Sequence, residues 1–153
     1  MEIQMALHLP RDAVSVAVGR QVLDSCLETL GVTEDTRADI ALALSEACAN
    51  VIQHAGPGEE YEVQVSARNC RCMIEVVNTG TADGEQPSVA VADEPVPATA
   101  EHGRGLQIIE AVVDNLQLTG NGHRGTTVHF EKTLEWVPGA AGQHLFNAHA
   151  GVS

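Results

Sequence analysis

Residues 37–54 read RADIALALSEACANVIQH, and the fold turns on how that stretch is understood. Ile40, Leu44, Ala47, Val51 and Ala55 recur at steps of three and four, the spacing that lines one side of an α-helix with apolar groups. Glu46, Asn50 and His54 recur every four residues and stack along a neighbouring face. A carboxylate and a carboxamide one turn apart can hold a hydrated cation and steer a nucleophile. They can equally be a solvated polar stripe. Ala55-Gly56-Pro57-Gly58 then stops the helix.

Outward from this helix the chain alternates between the two periodicities. Residues 2–9 place Ile3, Met5, Leu7 and Leu9 at every second position, as a half-buried strand does. Pro10 ends that strand, and Asp12 caps a helix over 13–30 whose apolar side is expected to be Val14, Val18, Val22, Leu27 and Leu30, closed by Gly31. Thr33 caps the central helix. Beyond it, Tyr61, Val63, Val65 and Ala67 alternate, residues 68–70 turn, and 73–77 return as the second strand of a hairpin. Residues 79–102 lose periodicity and collect Gly, Pro, Asp and Glu; a loop of that length in a compact domain is functional or disordered. Gly103-Arg104-Gly105 opens a helix carrying Leu106, Ile108, Ile109, Val112 and Val113, and two short strands follow over 116–119 and 126–134. Hairpins mixed with helices predict an α/β two-layer sandwich, with a mixed, mostly antiparallel sheet and three helices on one face. One domain is expected over 1–135, with a flexible tail over 136–153.

Composition narrows the function classes. Two Phe, one Tyr and one Trp leave the core to be built from Val, Ile, Leu and Ala. With 21 acidic against 8 basic side chains, a formal charge of -13, the chain lacks the basic footprint of a general nucleic-acid binder. It lacks a run of about 18 apolar residues and an N-terminal charged-then-apolar signal, so neither a membrane span nor export is expected. A cytoplasmic protein is the expectation. Cysteines at 26, 48, 70 and 72 do not carry a usual zinc spacing, and disulfides are not expected in a reducing compartment.

Three stretches carry the candidate chemistry: Glu46-x-x-x-Asn50, then Asn78-Thr79-Gly80, then Gly103-Arg104-Gly105-Leu106 followed by Gly125-Thr126-Thr127. A Gly-x-Gly at a helix start exposes backbone N–H groups and a positive dipole end, so it can cradle phosphate; it can also be a plain tight turn. In this order the set resembles the ATP-binding domain shared by gyrase, heat-shock chaperones, histidine kinases and mismatch-repair ATPases (the GHKL type, with the Bergerat fold). More narrowly it resembles the anti-sigma-factor serine/threonine kinases that control sporulation and stress sigma factors in bacteria. The resemblance runs over residues 7–134, and its most telling pieces are Leu44-Ser45-Glu46-Ala47-x-x-Asn50-x-x-x-His54-Ala55, Gly103-Arg104-Gly105-Leu106-x-Ile108-Ile109 and Gly125-Thr126-Thr127-Val128.

That resemblance implies a site. Asn50 would be the magnesium ligand beside ATP phosphates and waters, in keeping with the few protein oxygens that ion takes. Glu46 would orient and deprotonate the hydroxyl that attacks the γ-phosphate. His54 would cap the helix or lie near the nucleotide. Gly103, Arg104, Gly105 and Leu106 would belong to a lid over the phosphates, with the preceding loop as its moving part. Thr126 and Thr127 would reach the adenine, and Gly80 would let the chain pass close to the purine.

Two departures stand out. The adenine-reading residue of the family is an Asp, and here it is Asn78. A carboxamide can still accept from the exocyclic amine and donate to a ring nitrogen, but it loses charge assistance, a loss of about 1 kcal/mol. The lid carries Glu85, Asp93, Glu94 and Glu101 and little positive charge beyond Arg104.

The implied function is an ATP- and Mg2+-dependent anti-sigma factor that sequesters a sigma factor and phosphorylates a Ser or Thr of an anti-anti-sigma (STAS-type) antagonist. The alternative is a partner-binding module of the same fold with weak or lost ATP binding. Arg11 and Arg20, rare cations in an acidic chain, are either contacts to those partners or solubilising surface groups. Family members dimerise through the sheet edge, which makes a homodimer a further expectation.

Overall fold

The computed structural model describes residues 1–54, 60–78, 100–120 and 126–150, the side chains of 54, 100–104, 120, 126 and 147–150 excepted. The elements in chain order are β1 (Glu2–Pro10), α1 (Ala13–Leu30), α2 (Glu34–His54), β2 (Glu60–Arg68), β3 (Arg71–Asn78), α3 (Ala100–Val112), β4 (Asn115–Gly120), β5 (Thr126–Thr133) and α4 (Ala141–Ala150). The strands form one sheet in the order β1-β2-β3-β5-β4. Every pairing among them is antiparallel, so the sheet is simpler than the mixed one expected. The return from β3 to the far edge strand passes through α3, and β5 then folds back between β3 and β4.

Alternation does the work inside the sheet. Tyr61, Val63, Val65 and Ala67 of β2 face the same side as Cys72, Ile74 and Val76 of β3 and Val128 and Phe130 of β5, and all are buried. The intervening positions, among them Gln64, Glu75 and His129, line the opposite face. The β2–β3 hairpin closes through Asn69 (φ 54) and Cys70 (φ 62), both left-handed as a two-residue type I′ turn requires.

Helix α2 lies centrally, in contact with α1 on one flank, α3 on the other and strands β3 and β5 beneath. Its buried side holds Ile40, Ala43, Leu44, Ala47, Cys48 and Val51. Small residues at 43 and 47 let the helix sit close, so an aromatic-poor chain still fills its core. Arg37 clamps α1 to α2 through both carboxylate oxygens of Asp24, at 3.1 and 3.2 Å.

Helix α1 is turned one residue from the expected register. Asp12 caps it by accepting the Val14 N–H at 2.9 Å, and Gly31 ends it in the left-handed region at φ 93, as foreseen. Its buried side, however, is Ser15, Gly19, Leu23 and Leu27, while Val14, Val18 and Val22 are 68%, 49% and 39% exposed. The reason is close approach. A Cβ on Gly19 would stand 3.3 Å from Leu9 Cδ1, so β1 fits against the glycine rather than against the valines. The helix therefore presents an apolar stripe to solvent.

The C-terminal segment also differs from expectation. In place of a flexible tail, the chain after β5 pairs Trp136 with Val32 and continues into α4. Phe146 of α4 is 4% exposed and packs at a tilt against the Trp136 ring, 5.7 Å away. Gly142 allows this, since a Cβ there would fall 2.4 Å from Trp136 Cζ3.

Candidate functional site

On α2 the turn of 3.6 residues puts Glu46 and Asn50 on the edge toward α3, and Cys48 on the edge toward α1. Gly105 of α3 meets that first edge. A Cβ on Gly105 would lie 3.0 Å from Glu46 Oε1, a separation tighter than ordinary van der Waals contact. The glycine thus makes room for the carboxylate, and the structure joins two motifs that lie 59 positions apart (105 minus 46).

Asn50 is 7% exposed. Among the described residues its Oδ1 is buried without a hydrogen-bond partner. Such an oxygen costs about 1–3 kcal/mol when left unpaired, a cost that an arriving cation removes. A carboxamide oxygen is also the hard donor magnesium takes, with the remaining ligands from phosphate and water. The residue present therefore fits the ion that the fold family implies. Asn78 is buried at 8%, closes β3 directly opposite Tyr61, and belongs to the helix-facing side of the sheet. Asn50 and Asn78 thus both lie in the layer between helices and sheet.

Other expected site residues are placed less simply. Leu106 is buried in the core with Ile109. Thr127 pairs with Val77 and Thr119 and so lies on the sheet face away from the helices, not on the face that holds Asn78. It does not join Glu46 and Asn50. Helix α3 begins at Ala100, so Gly103, Arg104 and Gly105 lie within its first turns rather than ahead of it. The side chains of His54, Arg104 and Thr126, and all of Gly80 and Gly125, lie outside the described residues.

Arg11, just ahead of α1, and Arg20 within it both reach α2. Arg11 Nε donates to the Ile52 carbonyl at 3.1 Å, and an Arg20 guanidinium N–H donates to Ser45 Oγ at 3.1 Å, beside Glu46. Both remain exposed, next to the valine stripe. A groove lined by Gln4, Gln64, Met73, Glu75 and His129 lies on the other face of the sheet and shares no residue with this site.

Three residues that sequence reasoning passed over stand together on the α1 side. Tyr61 Oη lies 2.7 Å from Ser15 Oγ, and the buried Cys48 thiol lies nearby. Burial pushes the Cys48 thiol up to about 12, and burial likewise raises Tyr61 to about 12, so both keep their protons at neutral pH. The one available signal was a single tyrosine in a chain nearly free of aromatics.

A helix-layered antiparallel sheet with Asn and Glu one turn apart, facing a glycine-marked helix, defines a class. The chain belongs to the histidine kinase-like ATPase domain family, whose sequence pattern matches residues 9–132. Within it, the chain is similar to the serine-protein kinase RsbW of Bacillus velezensis, at 28% identity over 136 residues and 84% of each chain. It is similar also to the serine-protein kinase RsbW of Bacillus cereus, at 27% identity over 139 residues and 86% of each chain. The solved structure of the RsbU and RsbW domains of Rv1364c from Mycobacterium tuberculosis shares the fold, with a TM-score of 0.60 at 19% identity. That match covers 86% of this chain and 32% of the longer one.

Proposed function

We propose that this protein is an ATP-dependent protein serine/threonine kinase that acts as an anti-sigma factor, holding a sigma factor and phosphorylating a STAS-type antagonist. The observation that carries the reading is the joint placement of Glu46, Asn50 and Gly105. A half-buried carboxylate and a buried carboxamide oxygen, unpaired among the described residues, share one edge of α2, against a glycine that leaves the carboxylate room.

Asn50 Oδ1 would hold magnesium, which when bound neutralises phosphate charge. Glu46 would accept the proton of the attacking serine or threonine hydroxyl and orient its oxygen. General-base assistance of that kind supplies about 10²–10⁴-fold, with positioning doing the rest. Asn78 would read the adenine, and Gly103, Arg104, Gly105 and Leu106 would close over the phosphates.

The partner surface fits α1. Val14, Val18 and Val22 form an exposed apolar stripe flanked by Arg11 and Arg20, a pairing of apolar anchor and cation suited to an interface. We assign the sigma factor and its antagonist to this surface, and a second copy of the chain to a sheet edge, β1 or β4. No helix among the described residues is long and apolar enough to cross a membrane, and we place the activity in the cytoplasm.

One feature favours a second reading. The buried Asn78 stands where the family resemblance implies a charged adenine reader, so a module that binds partners without turnover is the competitor. Transfer of γ-phosphate from ATP to a STAS-type antagonist decides between them. The kinase reading expects transfer by the native protein and a loss of about 100-fold or more in Glu46→Gln. ATP binding without transfer to any antagonist encoded alongside it contradicts catalysis and leaves the binding module.

A further inference from the structure

Tyr61 is the one tyrosine of the chain and is 1% exposed. A phenylalanine would fill nearly the same volume, so what the hydroxyl adds is connection. Ser15 Oγ lies 2.7 Å from Tyr61 Oη, 2.8 Å from the Pro10 carbonyl oxygen and 2.7 Å from that of Asp12. Serine has one proton to give and carbonyls only accept, so Ser15 donates to a carbonyl and accepts from Tyr61. The chain of bonds runs from Tyr61 through Ser15 to the backbone at the start of α1.

Both ends of this chain reach residues of the proposed site or its partner surface. Tyr61 is the cross-strand neighbour of Asn78, at the separation where side chains on one face touch. Ser15 is in the first turn of α1, between Arg11 and the exposed Val18. Arg11, just ahead of the Asp12 cap, ties the same region to the Ile52 carbonyl, so the beginning of α1 is fastened to β2 at one point and to α2 at another.

We propose that Tyr61 is a positioning residue that couples nucleotide occupancy to the order of the first turn of α1. The proposal rests on the nucleotide site described above. A ligand held by Asn50 and Asn78 restrains α2 and the end of β3. Tyr61 packs beside Asn78 at the end of β3, and its hydroxyl passes that restraint to Ser15. Without the hydroxyl, the turn keeps its Asp12 cap and Arg11 tie but loses its link to the site.

Hydrogen exchange over residues 10–20, with and without a non-hydrolysable ATP analogue and magnesium, tests this in the native protein, Tyr61→Phe and Ser15→Ala. Calorimetry fixes saturation in each. In the native protein, bound nucleotide is expected to slow exchange in that segment by about fivefold or more. Both variants are expected to bind within about threefold of the native affinity yet show less than a twofold change in exchange. Ser15→Ala leaves the Tyr61 ring and Cys48 in place, so it answers the question should Tyr61→Phe fail to fold. Native-like slowing in the variants, or saturation of the native protein with no change over α1, overturns the coupling while leaving the nucleotide site standing. No binding by the native protein rejects the site itself and the coupling with it.

Discussion

Glu46 Oε1 stands 3.0 Å from the place a Cβ would occupy on Gly105, so at this point α3 comes up against a carboxylate of α2. Gly105→Ala therefore separates stability from activity. Alanine in a helix interior gains about 0.5–1 kcal/mol over glycine, while the added methyl displaces the flexible end of Glu46. The melting temperature is expected to hold or rise and phosphoryl transfer to fall about tenfold or more. Thermal unfolding with an initial-rate assay checks both; a variant that loses stability but keeps its rate contradicts the placement.

The docking of α4 is a stability statement. Phe146 is buried and packed at a tilt against Trp136, which itself bridges to Val32 just beyond the Gly31 cap of α1. Phe146→Ala is expected to cost about 3 kcal/mol, the low end for a buried phenylalanine because this cluster lies at the periphery. Urea unfolding with a loss below about 0.5 kcal/mol would mean that the helix contributes nothing to the fold.

Acid stability has a located source. Hydrogen bonds from the Thr133 hydroxyl and N–H, the latter 2.7 Å from Asp114 Oδ2, hold Asp114 below its ordinary value of 3.8. The bonds from His129 and then Arg71 do the same for Glu131, whose ordinary value is 4.5. A depressed folded value means that the unfolded chain binds more protons, so this stability is complete above about pH 4.5 and drains as pH falls through the lower folded values. Asp114→Asn keeps an acceptor for the Thr133 N–H but removes one titration. Its deficit against the native protein is expected at pH 6 and is expected to shrink by pH 3, as urea unfolding at the two pH values reports. A deficit that is constant between them contradicts the assignment.

Much of this fold was legible because its signals are local. Alternation at Tyr61, Val63, Val65 and Ala67 and the turn at Asn69-Cys70 announce the hairpin, and the stripe from Ile40 to Val51 announces α2. The face of α1 was not legible, since positions 14, 18 and 22 and positions 15, 19, 23 and 27 are both regular stripes. What selects between them is the fit of Gly19 to Leu9, a contact made across the fold. Helix α4 was hidden because one aromatic anchor, Phe146, is set in a run of Gly, Ala, His and Asn. At the site, helical spacing brought out Glu46 and Asn50. Thr127 was misplaced because one residue of strand register reverses the face. Tyr61 escaped notice because its place in the strand pattern already accounted for it.

The most direct measurement is a calorimetric titration with ATP, with and without magnesium, on the native protein, Asn50→Ala and Asn78→Asp. The account predicts magnesium-dependent binding by the native protein. It predicts loss of that binding in Asn50→Ala with unliganded stability unchanged within about 1 kcal/mol, because Oδ1 makes no bond among the described residues to lose. Asn78→Asp is expected to tighten ATP about five- to tenfold by restoring charge assistance. Absence of binding in the native protein, with recovery in Asn78→Asp, would contradict the kinase and identify a fold that works through its partners alone.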